Sequence, residues 1–445
     1  MELEERMNLT DIEKTFLSYD RKSPSNVAAV AHLEGIQDVD MLEKALNIAK
    51  NRHPYLQYFI EQDGDHSVFF YDPMKPVPLT VFQEAEEDLW IKICEDEINR
   101  VFVIKNAPMM KAYFLQEENG NSELIVSFSH IIADGINAVQ FVKDVIYLLE
   151  KMIEGDETPT IDKLHLLRPD TVYFTKSDLV NQFMSIGQFE KDHFIIQSFL
   201  PDSESTASNF GYPMGGSEKR SKMLPYHLSN EESGNLFDIC RGKGITINSL
   251  LSVALILAMR DYIYDKGISD SPWIKISNAL DLRRRMRSIR ILPEDFGMWA
   301  GRSVLFSKVA KDTNKYHFCK SYHSIFSEYV QQCPFYYSNL MVQQFNEAFN
   351  STTVKSPVQY YPNIKITNLG DLNRMGIMSR YGNLKINCIS FATPLHREWM
   401  NDLGFGLCAS GFDNRLILNF IYMEPARTEE EARLFVNRFF KHMNI

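Results

Sequence analysis

Apolar and polar positions trade places along the chain in two rhythms, one near two residues and one near 3.6. Thr10 stands before "DIEKTFLSYD" as an N-cap would, predicting a short helix. "NVAAVAHLEG" predicts a strand closing at Gly35. In "DVDMLEKALNIAKNRHPYL" Leu42, Ala45, Leu46 and Ala49 fall at helical spacing, and Pro54 stops the helix. His53, just before it, reads most simply as a C-terminal helix residue favoured by the macrodipole. A second helix is expected near 86–101. "MMKAYFL" and "ELIVSFS" predict two strands joined through "QEENGNS", whose Asn-Gly suits a hairpin. The second strand ends at His130. Beyond Gly135, the residues Ala138, Phe141, Val142, Val145, Ile146 and Leu149 form one apolar helical stripe.

From 154 to about 170 the chain turns polar and proline-bearing, as a connection between domains would. The Ser- and Gly-rich stretch 201–222 predicts a mobile loop. "GITINSLLSVALILAMRDYI" predicts a buried helix with Thr246 or Asn248 near its start. Strands are expected at "PWIKISNALDL" and "GRSVLF", and helices near 316–330 and 340–349. Four further strands follow at "NIKITNLG", "LKINCISF", "FGLCAS" and "RLILNFIYM". Thr428 and three glutamates open a capped final helix, "TEEEARLFVNRFFKHM". No strict repeat is present, and strands mixed with helices in both halves give an α/β class. A chain of 445 residues is long for one core, so two domains are expected, 1–170 and 171–445.

Composition narrows the classes. A hydrophobic share of 44% with 24% charged residues is that of a globular chain. The net charge of −11 argues against nucleic acid as main partner, since phosphate binding needs a basic surface, but leaves small anionic ligands open. "MELEERMNLTDIEK" is acidic and polar, unlike a signal or transit peptide. No membrane span is expected, because the most apolar candidate, 245–259, carries Thr246, Asn248, Ser249 and Ser252. Cys94, Cys240, Cys319, Cys333, Cys388 and Cys408 lie far apart without a CxxC, so reduced thiols in a cytoplasmic protein are expected.

The chemistry concentrates in "SFSHIIADGIN". His130 and Asp134 alone are too few for a metal, and Cys319 with His323 in "HFCKSYH" lacks a third ligand, so no metal site is expected. No Ser or Cys sits in a nucleophile elbow. What remains is a general base with a supporting carboxylate, a role that suits histidine because its pKa lies near operating pH. "DLRRRMRSIR" sets Arg283, Arg284, Arg285, Arg287 and Arg290 close together, either as a solvated basic face or as a phosphate clamp. "DFGMWAG" lacks the glycine-rich loop and HRD segment of a kinase, and "PFYYSNL" reads as core or tunnel wall.

"HIIADG" after a strand, with "NRHPYL" earlier in the chain, resembles the condensation-domain and CoA-dependent acyltransferase superfamily. That group holds stand-alone condensation enzymes of peptide synthesis, polyketide-associated acyltransferases, alcohol acetyltransferases and plant hydroxycinnamoyl transferases. "NAPMMKAYFL", "ITINSLLSVALILAM", "NALDLRRRM", "DFGMWAG" and "ITNLGDL" resemble further landmarks in the same order. The resemblance implies two chloramphenicol-acetyltransferase-like domains, with mixed sheets flanked by helices and an active-site tunnel between them. His130 would be the base, Asp134 would pair with Arg283 (or Arg284) to fix the turn, and Gly135 would let the backbone turn tightly.

Ser129, Asn368, Trp299, Arg285, Arg287 and Arg290 would meet substrate, the arginines through phosphates of the donor. Ser129 stands where many condensation domains carry a second histidine, which favours ester formation. The implied reaction moves an acyl group from acyl-CoA or a phosphopantetheinyl carrier protein to a small-molecule hydroxyl, with no bound cofactor and the chain as a monomer. Amide formation between carrier-bound partners, or a non-catalytic binding domain of the same fold, are the alternatives.

Overall fold

The computed structural model describes residues 4–35, 38–63, 66–102, 109–117, 119–168, 219–283, 290–332, 363–395 and 404–444. The first half runs β1 (Arg6–Asn8), α1 (Asp11–Lys22), β2 (Val27–Glu34), α2 (Val39–Arg52), β3 (Tyr58–Asp63), β4 (His66–Tyr71), β5 (Leu79–Phe82), α3 (Leu89–Asn99), β6 (Met110–Gln116), β7 (Asn121–Phe128) and α4 (Gly135–Ile153). The described second half runs β8 (Arg220–His227), α5 (Asn230–Lys243), α6 (Ile247–Asp265), β9 (Trp273–Asp281), β10 (Ala300–Lys308), α7 (Lys315–Gln332), β11 (Asn363–Asp371), β12 (Arg380–Tyr381), β13 (Leu384–Ala392), β14 (Phe405–Phe412), β15 (Arg415–Glu424) and α8 (Glu429–Met443). The α/β class holds.

Two six-stranded mixed sheets carry the architecture, ordered β12-β13-β2-β7-β6-β5 and β10-β9-β11-β14-β15-β8, with a small sheet β1-β4-β3 beside the first. β7 is buried along nearly its whole length because it is central and covered on both faces. It runs antiparallel to β2, Val27 opposite Phe128 and Glu34 opposite Asn121, so the chain leaves the sheet at His130. α4 then packs back over it with Phe141, Val142, Val145 and Ile146 fully buried. His53 is the C-cap of α2, as expected, and it is wholly buried, bonded through Nε2 to Asp144 of α4 at 2.8 Å and 4.5 Å from the Phe296 ring.

The second sheet alternates cleanly. Ile274, Ile276, Leu280, Ile364 and Ile366 join the core beneath α6 and α8, where Phe405 stacks on Phe435 at 3.9 Å. α6 is long and apolar enough to cross a membrane, contrary to the sequence expectation, but 78% of that window is buried in this core. The opposite, inner face turns Met223, Cys408, Ile417, Ile421 and Met423 into the core of the first half.

β12 and β13 belong to the second half by sequence and to the first sheet by hydrogen bonding, Lys385 opposite Glu34 and Ala392 opposite Ala28. The second sheet leans on β13 through side chains: Asn419 donates to the Phe391 carbonyl at 2.9 Å and Ser410 to the Ile389 carbonyl at 3.3 Å. Short β1, β3, β4 and β5 escape the periodicity reading, as do β8 and α5. The last had a signal, a Ser229–Glu232 capping box before it and Gly244 in the left-handed region after it. The expected helix 340–349, the stretch 334–340 and residues 201–218 lie outside the described residues.

Asn419 is 1% exposed, so its loss leaves the Phe391 carbonyl without its donor at the seam. Asn419→Ala is expected to cost about 1–3 kcal/mol, the penalty of an orphaned buried polar group. Chemical denaturation measures it; an unchanged midpoint would mean the seam does not depend on this bond.

Candidate active site

β7 delivers the chain into a tight turn. Ser129 is 1% exposed, donates its N–H to the Met109 carbonyl at 3.0 Å and accepts the Ile131 N–H on its hydroxyl at 3.4 Å. Its side chain therefore takes part in holding the turn. His130 follows, half-buried, with its ring 5.4 Å from that of Phe16. Its Nδ1 lies 2.6 Å from the Ala133 carbonyl oxygen. A carbonyl only accepts, so Nδ1 carries the proton and Nε2 keeps its lone pair. Burial holds the imidazole below the usual histidine pKa, and the Lys365 charge pushes the same way against the Ala133 bond and Asp134. The result is a neutral imidazole with a basic Nε2.

Asp134 sits at the N-cap of α4, its Oδ1 accepting the Ile136 and Asn137 N–H groups at 3.0 and 3.1 Å. The same carboxylate takes a fork from Arg283 of the second half, Nη1 to Oδ2 at 2.8 Å and Nη2 to Oδ1 at 3.1 Å. Both side chains are buried, at 4% and 2% exposure. Arg283 reaches further to the Asp281 carboxylate and the Asp295 carbonyl.

Asn137, which drew no notice in the sequence, completes the joint. Its Oδ1 accepts the Asp134 N–H at 3.2 Å, and its Nδ2 donates to the Pro293 and Asp295 carbonyls at 3.2 and 2.8 Å. The "DFGMWAG" crossover is thus pinned to the first half, where Phe296 and Met298 join the core. Trp299 turns the other way, fully buried in the second core.

Gly135 needs no left-handed backbone, so the expected tight-turn reason is corrected. A Cβ there would stand 3.0 Å from Leu369 and 3.6 Å from the Phe391 ring. A larger residue would press on the Leu369 side chain, because the "TNLG" segment closes on the helix start. Leu369 thereby approaches the His130 turn. Asn368 shares the helix-facing side with Ile366, donates to Asn248 at 3.3 Å and accepts the Gly370 N–H. Arg284, Arg285 and Arg287 lie outside the described residues, and Arg290 is exposed.

Sequence reasoning missed three cations on the inner face of the second sheet. Register sets Lys275, Arg302 and Lys365 on one side, since Lys275 faces Asn363, Lys365 faces Ser277, and Arg302 and Ser277 both sit in the β9–β10 ladder at even spacing. Lys365 donates to the Thr393 hydroxyl at 2.9 Å and the Pro394 carbonyl at 3.1 Å, and burial lowers its pKa. Lys275 is 7% exposed and has no hydrogen-bond or ion-pair partner among the described residues; burial, with Arg302 nearby, brings it down to about 7. No composition signal marks such a residue, because a strand of "WIKIS" alternates normally and only the sheet's second cover buries its lysine.

Asp134→Asn leaves the Arg283 guanidinium buried without its counter-charge and should cost about 3–5 kcal/mol together with activity. Thermal melting of Asp134→Asn and of Asp134→Asn/Arg283→Met checks this; an activity loss without any change in melting would reassign Asp134 to the chemistry. Lys275 gives a prediction in pH. Unfolded, it titrates near 10.5; folded, at about 7, so between these values the unfolded chain holds more protons and stability rises with pH. Lys275→Met is expected to stabilise most below pH ~7 and to lose that advantage towards pH ~10.5. A variant less stable than the native protein across the range would refute it.

Residues 15–165 match the family model of the Condensation domain. Surfactin synthase subunit 2 of Bacillus subtilis (strain 168) is 30% identical over 152 residues, 34% of this chain, and the chain spans 4% of that protein's length. Among solved structures, a trichothecene 15-O-acetyltransferase from Fusarium sporotrichioides superposes with a TM-score of 0.69 at 15% identity, covering 98% of this chain and 95% of that one. The first condensation domain of the CDA synthetase gives 0.66 at 11% identity, covering 98% and 95%. The chain thus matches the Condensation domain model over residues 15–165 and, along nearly its whole length, shares the fold of this acetyltransferase and this condensation domain.

Proposed function

We propose that the protein transfers an acyl group from a thioester, on CoA or on a carrier protein, to an acceptor hydroxyl, with His130 as general base. The observation that carries this reading is the Nδ1 bond to Ala133, which fixes the tautomer and leaves Nε2 basic. In the step, Nε2 takes the hydroxyl proton as the acceptor oxygen attacks the thioester carbon. The C–S bond breaks in the collapse of the tetrahedral intermediate, and the imidazolium returns its proton to the departing thiolate. No acyl-enzyme and no redox step are required. Asp134, Arg283 and Asn137 position the base without touching the reacting atoms. Lys365, whose charge already acts on His130, adds a positive field that favours an oxyanion nearby.

Amide formation between carrier-bound partners is the second reading. The Condensation domain match and the peptide-synthase relatives favour it, and the same base would serve an amine acceptor. Incubation of the purified protein with acyl-CoA and acyl-carrier pools and candidate acceptors, followed by mass spectrometry, separates ester from amide by product mass. Consumption of neither thioester would overturn both readings.

His130→Ala is expected to keep the melting temperature and lower turnover by about 10²–10⁴-fold. Near-native turnover in a folded variant would remove His130 from the chemistry. Because burial and Lys365 hold its pKa below the usual 6.5, kcat/KM should be flat through neutrality and fall only on the acid side, as the imidazole gains its proton. Lys365→Met should shift that acid limb towards higher pH. An acid limb above the ordinary histidine range in the native protein would contradict the assignment.

A further inference from the structure

The ladder that delivers His130 carries, seven residues back at Glu123, a second cluster. His32 of β2 lies opposite Glu123 of β7 on one side and Cys388 of β13 on the other, and His227 closes β8 of the second sheet. One donor atom from each of His32, His227 and Cys388 lies within 4.8 Å of the other two. Cys388 Sγ is 3.9 Å from His227 Nε2. A tetrahedral ion with Zn–S of about 2.3 Å and Zn–N of about 2.0–2.1 Å would set such atoms ~3.6 Å apart, so small side-chain shifts suffice.

His32 is prepared for such a role. Its Nδ1 stands 3.2 Å from the Glu123 carboxylate, which only accepts, so the proton lies on Nδ1 and the lone pair on Nε2. That Nε2 is shielded from solvent and has no partner among the described residues. A buried lone pair with no donor is costly. A carboxylate behind a histidine is also how metal-binding imidazoles are oriented. The Trp90 ring packs edge-on against His32 at 5.0 Å and fixes its plane. The cluster opens on a cavity of about 770 Å³ whose wall carries Glu84, Glu87, Asp88, Glu117 and Glu123, a negative approach for a cation.

We propose that His32 Nε2, His227 Nε2 and Cys388 Sγ bind one zinc ion, with a fourth position open to this cavity. Two imidazoles and a thiol are too soft and too nitrogen-rich for magnesium or calcium, which take oxygen ligands. Coordination takes Cys388 as thiolate, its proton leaving to solvent, and His227 gives up its present contact with the Ser390 hydroxyl at 3.2 Å. The ion would tie β2 and β13 of the first sheet to β8 of the second. It would thereby join the halves far along β7 from the Asp134–Arg283 pair, with no part in the His130 chemistry.

The test uses the full chain after removal of metal by chelator. Zinc added and then separated from free ion by gel filtration is expected to remain at one per chain by elemental analysis, and to raise the melting temperature. Cobalt in its place should give a thiolate-to-metal charge-transfer band that vanishes in Cys388→Ser and persists in the control Cys319→Ser. Glu123→Gln should weaken zinc about 10–100-fold by loosening the His32 ring. Circular dichroism reports whether each variant folds, and Cys388→Ala substitutes if Cys388→Ser does not. Absence of retained zinc in the native chain, or equal retention in a folded His32→Gln/Cys388→Ser variant without the charge-transfer band, would overturn the site. Turnover by His130 is a separate readout, so either result stands apart from the proposed acyl transfer.

Discussion

A carboxylate and a guanidinium buried together cannot be separated without leaving a bare charge in the interior, and the Asp134–Arg283 fork places that constraint on the joint between the halves. Asp134 is also the N-cap of α4, so the same two oxygens set where the helix begins and where β9 ends. The His130 turn is strung between them. Its Ala133 carbonyl cannot move without moving the cap, and the His130 tautomer follows that carbonyl. Position, orientation and protonation of one imidazole thus depend on a pair of groups that never touch it.

The rest of the interface fits this joint. β13 crosses into the first sheet, and the "DFGMWAG" crossover sends Phe296 and Met298 into one core and Trp299 into the other. Rigid attachment at these points means the halves cannot slide without exposing apolar surface. Between them the inner face of the second sheet changes character, apolar at Ile417 and Ile421 where it packs, cationic at Lys275 and Lys365 where it does not. A buried lysine without a partner costs folding energy. Lys275 shares its face with Lys365, whose charge acts on His130.

Long periodic elements were legible because a single face decides them: Leu42, Ala45 and Leu46 for α2, and Val142, Val145 and Ile146 for α4 each point to one core. The short strands β1, β3, β4 and β5 were not, since two or three alternations do not rise above chance. His130, Asp134 and Arg283 could be named from the motif and its resemblance, and the structure brings these three together. The surroundings of residues whose sheet face is set by distant packing were not legible. Asn368 and Trp299 lie in plausible segments but on the helix side of the second sheet. Gly135 was noticed for the wrong cause, because Leu369 is 234 positions away and no local pattern reveals its approach. Lys275, Asn137 and the His32–His227–Cys388 cluster are likewise products of contacts between distant strands.

The depressed basicity of His130 bears on which half of an acyl transfer the site would favour. A weaker base is less able to draw a proton from a hydroxyl, but more of it is neutral at a given pH than of an ordinary histidine, so less of the protein waits in the protonated state. Once protonated, the same burial and the same Lys365 charge make the imidazolium a readier acid. The leaving group of a thioester is a thiolate, a good one, which needs little help to depart and gains its proton after the bond has weakened. The demand therefore falls on the first transfer, and there proximity matters more than strength: an acceptor held against Nε2 loses its proton as the carbon–oxygen bond forms, without a free alkoxide. In the proposed reaction a turn fixed by a buried ion pair would supply that proximity, and the Lys365 charge would favour the oxyanion that a weak base alone would not stabilise.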